Sequence, residues 1–136
     1  MFRNLKRITG LLLCLMMLLS IVHATAAIVT PMADPVFART SVSINSSMSS
    51  TFSATTQLVC DSISVTSCTL QVKNGSTWSN VGSVTPPSTE AKNTTVYVAV
   101  KSYSSSCTSG KTYRLVAVFT ADGHSLTSYS NQVTYD

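Results

Sequence analysis

The chain has 136 residues, 44% of them hydrophobic and only 10% charged, with nine basic and five acidic residues for a net charge of +4. That length supplies one domain with a real core and leaves no room for a second. Three of the bases, Arg3, Lys6 and Arg7, precede an apolar run; without them six scattered bases face five acids, which sets aside a nucleic-acid surface, since that needs concentrated positive charge.

Those three cations and the apolar stretch 11–22 form the charged and hydrophobic regions of a secretory signal peptide. The small-residue pattern Ala24-Thr25-Ala26 places cleavage after Ala26, and Thr25-Ala26-Ala27 offers Ala27 as the alternative. An apolar run of about 12 residues is well short of the ~20 that a bilayer-spanning helix needs, so no membrane contact is expected after cleavage. Cys14 does not read as a lipid anchor, because Leu13 stands where such signals need a small residue. The expected organisation is a signal peptide over 1–26, a disordered linker over 27–38 with Pro31 and Pro35, and a domain over 39–136. A later cut after Ala38 stays open. Ser and Thr are abundant where charge is scarce, a composition common in exported β-proteins among extracellular polymers; the same residues also fill the outward positions of strands.

From Arg39, Val42 and Ile44 alternate with Ser41 and Ser43 as a short edge strand, and 45–50 reads as a polar turn. Phe52, Ala54, Thr56 and Leu58 alternate with Ser53, Thr55 and Gln57, giving a strand over 51–58. The next segment, 59–65, holds Cys60, Ile63 and Val65 and is either a buried loop or a continuation. Cys68, Leu70 and Val72 then face inward, Thr69, Gln71 and Lys73 outward, and Asn74-Gly75 signals a hairpin. The return strand over 77–84 carries Trp78 and Val81, and Pro86-Pro87 ends it, because proline cannot donate to a ladder.

A crossover loop over 88–93 leads to a strand over 94–103, dense in Val and Tyr, and a loop over 104–110 follows. The stretch 111–120 puts Tyr113, Leu115, Ala117 and Phe119 on one face and Arg114, Val116, Val118 and Thr120 on the other, as expected of a strand lying mid-sheet. Asp122-Gly123 is a turn pair, and 125–135 is the last strand. No helical period occurs outside the leader. The expectation is an all-β, seven-stranded sandwich.

The run Cys107-Thr108-Ser109-Gly110-Lys111-Thr112-Tyr113 resembles fibronectin type III domains, where a glycine precedes a tyrosine whose hydroxyl bonds back to the loop. The resemblance implies an immunoglobulin-like (fibronectin type III-like) sandwich, a structural tyrosine corner at Tyr113 and a buried Cys107 sulfur. Tyr129-Ser130-Asn131 is similar to that family too. The chain departs from it in having no tryptophan on 51–58, Trp78 coming later. Leu70, Asn74-Gly75-Ser76, Trp78 and the 113–135 hairpin look more like small exported β-sandwich proteins of Gram-positive bacteria, a family of unknown function. That likeness implies a sandwich and export, and no chemistry.

Three cysteines remain after cleavage, an odd number for an exported protein. Cys60 with Cys68, flanking the segment between two strands, is the preferred disulfide; three reduced thiols packed as small hydrophobes are the alternative. Cys60, Cys68, Cys107 and His124 lack the close ligand pairs of a zinc site, and no cofactor is expected. Asp34, Asp61, Glu90, Asp122 and Asp136 are scattered in the linker, loops and terminus, which gives a paired-carboxylate glycosidase little to work with. His124 sits at a turn, whereas a general base needs a nucleophile and an orienting partner. No buried lysine beside an acid marks an isopeptide bond. The sequons at Asn45, Asn74 and Asn93 fall in expected turns and matter only in a eukaryotic host.

The expected function is an exported, non-enzymatic binding or adhesion module for an extracellular protein or glycan. Its preferred contact end combines the segment after Leu58, the Pro86-Pro87 to Asn93 connection and the Asp122-Gly123-His124 turn. Tyr97, Tyr103, Tyr129 and Trp78 are the candidate contact aromatics. A self-assembling envelope component pairing through edge strands is the alternative, with a secreted toxin, inhibitor or enzyme behind it. The last residues carry no sorting signal or hydrophobic tail, so release is expected over covalent anchoring.

Overall fold

A computed structural model describes residues 34–136. The leader over 1–26, the cleavage points at Ala26 and Ala27, Cys14 and most of the 27–38 linker lie outside the described residues. The described part is all-β. Its strands are β1 (Phe37–Ile44), β2 (Ser49–Asn74), β3 (Thr77–Val84), β4 (Glu90–Ser102), β5 (Thr112–Ala121), β6 (His124–Tyr129) and β7 (Val133–Thr134). They form one antiparallel seven-stranded sheet, interrupted only by a single helical turn at Ser104–Ser106.

β2 organises this sheet, because it serves two halves in succession. Its first part lies between β1 and β4, with Thr51 opposite Ser43 and Val100. Its last part lies between β3 and β5, with Leu70 opposite Gly82 and Leu115. In between, Ile63 pairs with Ala91 of β4 on one side and Ala121 of β5 on the other. The segment 59–65 is therefore strand, and the two strands and intervening loop allowed by the sequence are one strand of 26 residues. Alternation along it slips twice: inward positions run from Ser50 to Cys60, then Ile63 and Val65, then Cys68 and Leu70. The second slip falls at the register irregularity between Val65 and Ser67, where an extra residue restores the buried face; the first comes after the irregularity between Thr55 and Cys60, as the strand takes up β5 as a partner from Ile63.

β5 behaves as its pattern implies. It lies between β2 and β6 with β7, burying Tyr113, Leu115, Ala117, Phe119 and Ala121 and leaving the other face half-exposed. Asp122 and Gly123 both have positive φ, 46° and 84°, so the β5–β6 turn is of the type that matches strand twist. At the β2–β3 hairpin the turn centre is Gly75-Ser76, one residue beyond Asn74-Gly75: Gly75 has φ 62° and Asn74 pairs with Thr77.

Other boundaries moved for stated reasons. β1 begins at Phe37, inside the stretch read as linker, because the Phe37 ring is buried in the core. β4 begins at Glu90, inside the stretch read as loop, because Glu90, Ala91 and Lys92 find partners on Ser64, Ile63 and Ser62. The polar turn before β2 hides Met48, fully buried at φ 61°. The last strand divides into β6 and β7, since Ser130 and Asn131 bond sideways. The Ser130 hydroxyl accepts from Leu115 N–H at 2.8 Å. Asn131 accepts from Ile44 N–H and donates to Ile44 C=O, each at 2.9 Å. That side chain occupies the open edge of β1 as a strand would, and a Thr40–Ser128 hydroxyl contact continues the closure, so the sheet curls until β1 meets β6.

The two halves face each other across the core. Tyr97 of β4 meets Phe119 of β5 edge-on at 6.2 Å, and within the first half Phe52 of β2 meets Tyr103, just past β4, edge-on at 6.4 Å. Such pairs contribute roughly 0.5–1.5 kcal/mol beyond area burial. The Tyr103 hydroxyl donates to Thr85 C=O at 3.1 Å, whereas the Tyr97 hydroxyl is buried with no hydrogen-bond partner among the described residues. Burial raises both phenol pKa values. The Tyr113 hydroxyl accepts from Thr108 N–H at 2.8 Å, tying β5 to the preceding loop.

Cys60, Cys68 and Cys107 are free thiols. The expected Cys60–Cys68 disulfide is not formed, and the reason is geometric. The two lie on one extended strand, eight residues and roughly 20 Å or more apart, whereas a disulfide needs Cα atoms within about 7 Å. Burial raises the pKa of Cys68 and Cys107, which keeps these thiols protonated and unreactive.

Candidate functional site

Between Thr55 and Cys60, β2 spends four residues where its partner β4 spends only Thr95, because Thr55 pairs with Val96 and Cys60 with Thr94. The surplus, 56–59, is extruded as a bulge. Its backbone is held at several points. The Thr56 hydroxyl donates to Leu58 C=O at 2.7 Å, and the Cys60 thiol approaches the same oxygen at 3.6 Å. Gln57 donates from its backbone to Val36 C=O at 2.9 Å and from its side chain to Asp34 C=O at 2.8 Å. Asp34 in turn accepts from Val36 and Phe37 N–H at 2.9 and 2.8 Å, and these bonds hold its carboxyl below the ordinary aspartate range.

Thr56 and Cys60 point inward from this frame, while Leu58 and Val59 point out, 78% and 66% exposed. Two adjacent aliphatic side chains are thus held in water at a defined place. They border a cleft of about 210 Å³ lined by Pro35, Val36, Leu58, Val59, Cys60, Asp122 and His124.

The opposite wall is the β5–β6 turn. Asp122 accepts from Asp61 and Ser62 N–H at 3.1 and 3.0 Å, which locks the turn to β2. The fold therefore brings Asp122 and His124, apart from the bulge in the sequence, onto one cleft, with Asp34 next to its Pro35–Val36 wall. Their chemistry is already committed: each carboxylate is taken up by two backbone amides, and the His124 ring makes no hydrogen bond or ion pair among the described residues. Among those residues no three His, Cys, Asp or Glu side chains stand close enough to hold a metal ion. Cys68 lies in the core and Cys107 beside Tyr103, whose carbonyl its thiol approaches at 3.4 Å, both away from this cleft's lining. What the arrangement offers is an apolar surface with a polar rim.

Of the contact end read from the sequence, the segment after Leu58, residues 90–93 and the 122–124 turn do come together. Pro86 does not: its carbonyl accepts from Lys101 Nζ at 3.1 Å, toward the other end of β4. Tyr97 and Tyr103 are core residues, and Tyr129 and the half-buried Trp78 lie on the outer face of the sheet. Leu58 belongs to the apolar alternation expected of 51–58, and Val59 opens the segment left between buried loop and continuation; the signal that could have found them is the Leu58-Val59 doublet, which breaks strict alternation.

Comparison with family models, with curated proteins and with solved structures found no match to this chain.

Proposed function

We propose that this chain is an exported, non-enzymatic binding module that engages an extracellular protein or glycan through the Leu58–Val59 bulge. On this reading residues 1–26 direct export and are removed after Ala26 or Ala27. The remainder acts as an immunoglobulin-like, fibronectin type III-like sandwich of the kind found in small exported proteins of Gram-positive bacteria, without cofactor, nucleic acid or membrane. The observation that carries it is the pair of aliphatic side chains held outward by a hydrogen-bonded bulge beside a cleft whose one lining carboxylate, Asp122, is spent on the backbone. A rigid apolar projection favours a protein partner with a matching hollow, since preformed contacts cost little ordering entropy. The test is retention of the exported chain on the surface of the cells that make it, compared with a Leu58→Ser/Val59→Ser variant. Retention of the parent and loss in the variant, with thermal unfolding unchanged, supports the reading; equal retention of both removes the bulge as the contact.

A second reading, self-assembly, is favoured by β4. Among the described residues that strand is paired along one edge only, and Val96, Val98 and Val100 on its outer face are each more than half exposed. Unprotected edges of this kind invite pairing with another copy. Light scattering that rises with concentration, and is abolished by Val98→Lys, is its signature.

A further inference from the structure

The outer face of the β3–β2–β5–β6 half carries a different kind of site. Arg114 stands opposite Gln71, and its guanidinium lies 4.3 Å from the Trp78 ring centre and 5.0 Å from that of Tyr129. Two aromatic rings therefore flank the guanidinium. Its Nε–H donates to Gln71 Oε1 at 2.7 Å, and the Gln71 amide donates onward to Asn80 Oδ1 at 2.8 Å. A second cation, Lys73, reaches over the same indole at 5.9 Å and donates to Gln132 Oε1 at 3.2 Å.

The two ring contacts and the Nε bond hold the guanidinium in place, while its two Nη groups find no acceptor among the described residues. Neither cation has a carboxylate: the one ion pair among those residues joins Lys92 to Glu90. Most of the acids collect elsewhere, with Asp34, Asp61 and Asp122 around the bulge and Glu90 paired beside Ser64. A guanidinium held in place, with free paired donors, matches the two oxygens of a carboxylate.

We propose that this face binds a linear polysaccharide bearing carboxylates, a uronate polymer, with Arg114 taking a sugar carboxylate in a bidentate pair and Lys73 a second anionic group. Charge complementarity selects the anion. The surrounding groups select the sugar: Gln71, Asn80 and Gln132 are exposed or half-exposed amides suited to sugar hydroxyls. The site is separate from the bulge and stands or falls independently of it.

The test is native gel electrophoresis of the exported chain through gels containing polygalacturonate, neutral dextran, polyglutamate or polyphosphate, with Arg114→Gln and Arg114→Lys run beside the parent. The expected result is retardation by polygalacturonate alone, weakened at least tenfold in Arg114→Gln and partly kept in Arg114→Lys, which retains charge but loses the fork. Thermal unfolding within a few degrees of the parent shows that each variant is folded. Absence of retardation, or equal retardation of Arg114→Gln, overturns the site; equal retardation by polyglutamate or polyphosphate overturns its assignment to a polysaccharide.

Discussion

β5 and β2 are neighbours in the same sheet and obey the same alternation of side chains, yet one reads cleanly from the sequence and the other does not. β5 spans ten residues and buries every second one from Tyr113 to Ala121. β2 spans 26 and shifts phase twice, because it leaves one half of the curled sheet and enters the other. Alternation is faithful where a strand keeps the same partners. Where the partners change, the phase shifts, and a register irregularity beside the change extrudes residues from the sheet.

The largest effect that tests this contrast is Phe119→Ala, which empties a fully buried site against Tyr97. Chemical denaturation should show a loss of about 3–5 kcal/mol. Asp122→Ala should cost less, about 2–3 kcal/mol by the same measurement. It removes two bonds to β2 amides and places alanine at φ 46°, where an L side chain is strained.

Tyr97→Phe goes the other way. Deleting a buried hydroxyl that lacks a partner should raise stability by about 1 kcal/mol, read as an upward shift of the thermal midpoint. Leu58→Ala sharpens the comparison most directly. By alternation it is a core residue and should cost ~2–5 kcal/mol; exposed on the bulge, it should change stability by less than about 0.5 kcal/mol.

The smallest effect is a pH dependence at the foot of the bulge. The Asp34 carboxyl has its pKa lowered by bonds from Phe37 and Val36 N–H, so its stabilisation is fully present above the ordinary aspartate value of about 3.9. It is lost as pH falls through the lower folded value. Amide exchange at Val36 and Phe37 should quicken over that acidic interval and stay level from there to neutrality. Asp34→Asn should flatten the profile.

Much was legible without coordinates. Period-two patterning determined the all-β character of the described residues, the inward residues of β5, and the ends of β3, where Thr77 follows the turn and Val84 precedes the prolines. Asp122-Gly123 read correctly because positive φ is a local demand that glycine and aspartate meet by themselves. Arg114, Trp78 and Tyr129 were each visible in the sequence, and their stacking was not, since they come from three strands brought together by pairing.

The tertiary structure alone decided the rest. Whether 59–65 was loop or strand depended on partners at its two edges, Ala91 and Ala121, which lie far away in the chain. The separation of Cys60 from Cys68 followed from that single extended strand, and so did the absence of a bond between them. The outward turn of Leu58 depended on β4 being shorter than β2 across the bulge. A sequence carries its own dihedral preferences and the spacing of its apolar residues; a bulge is a mismatch between two strands, and no single strand contains it.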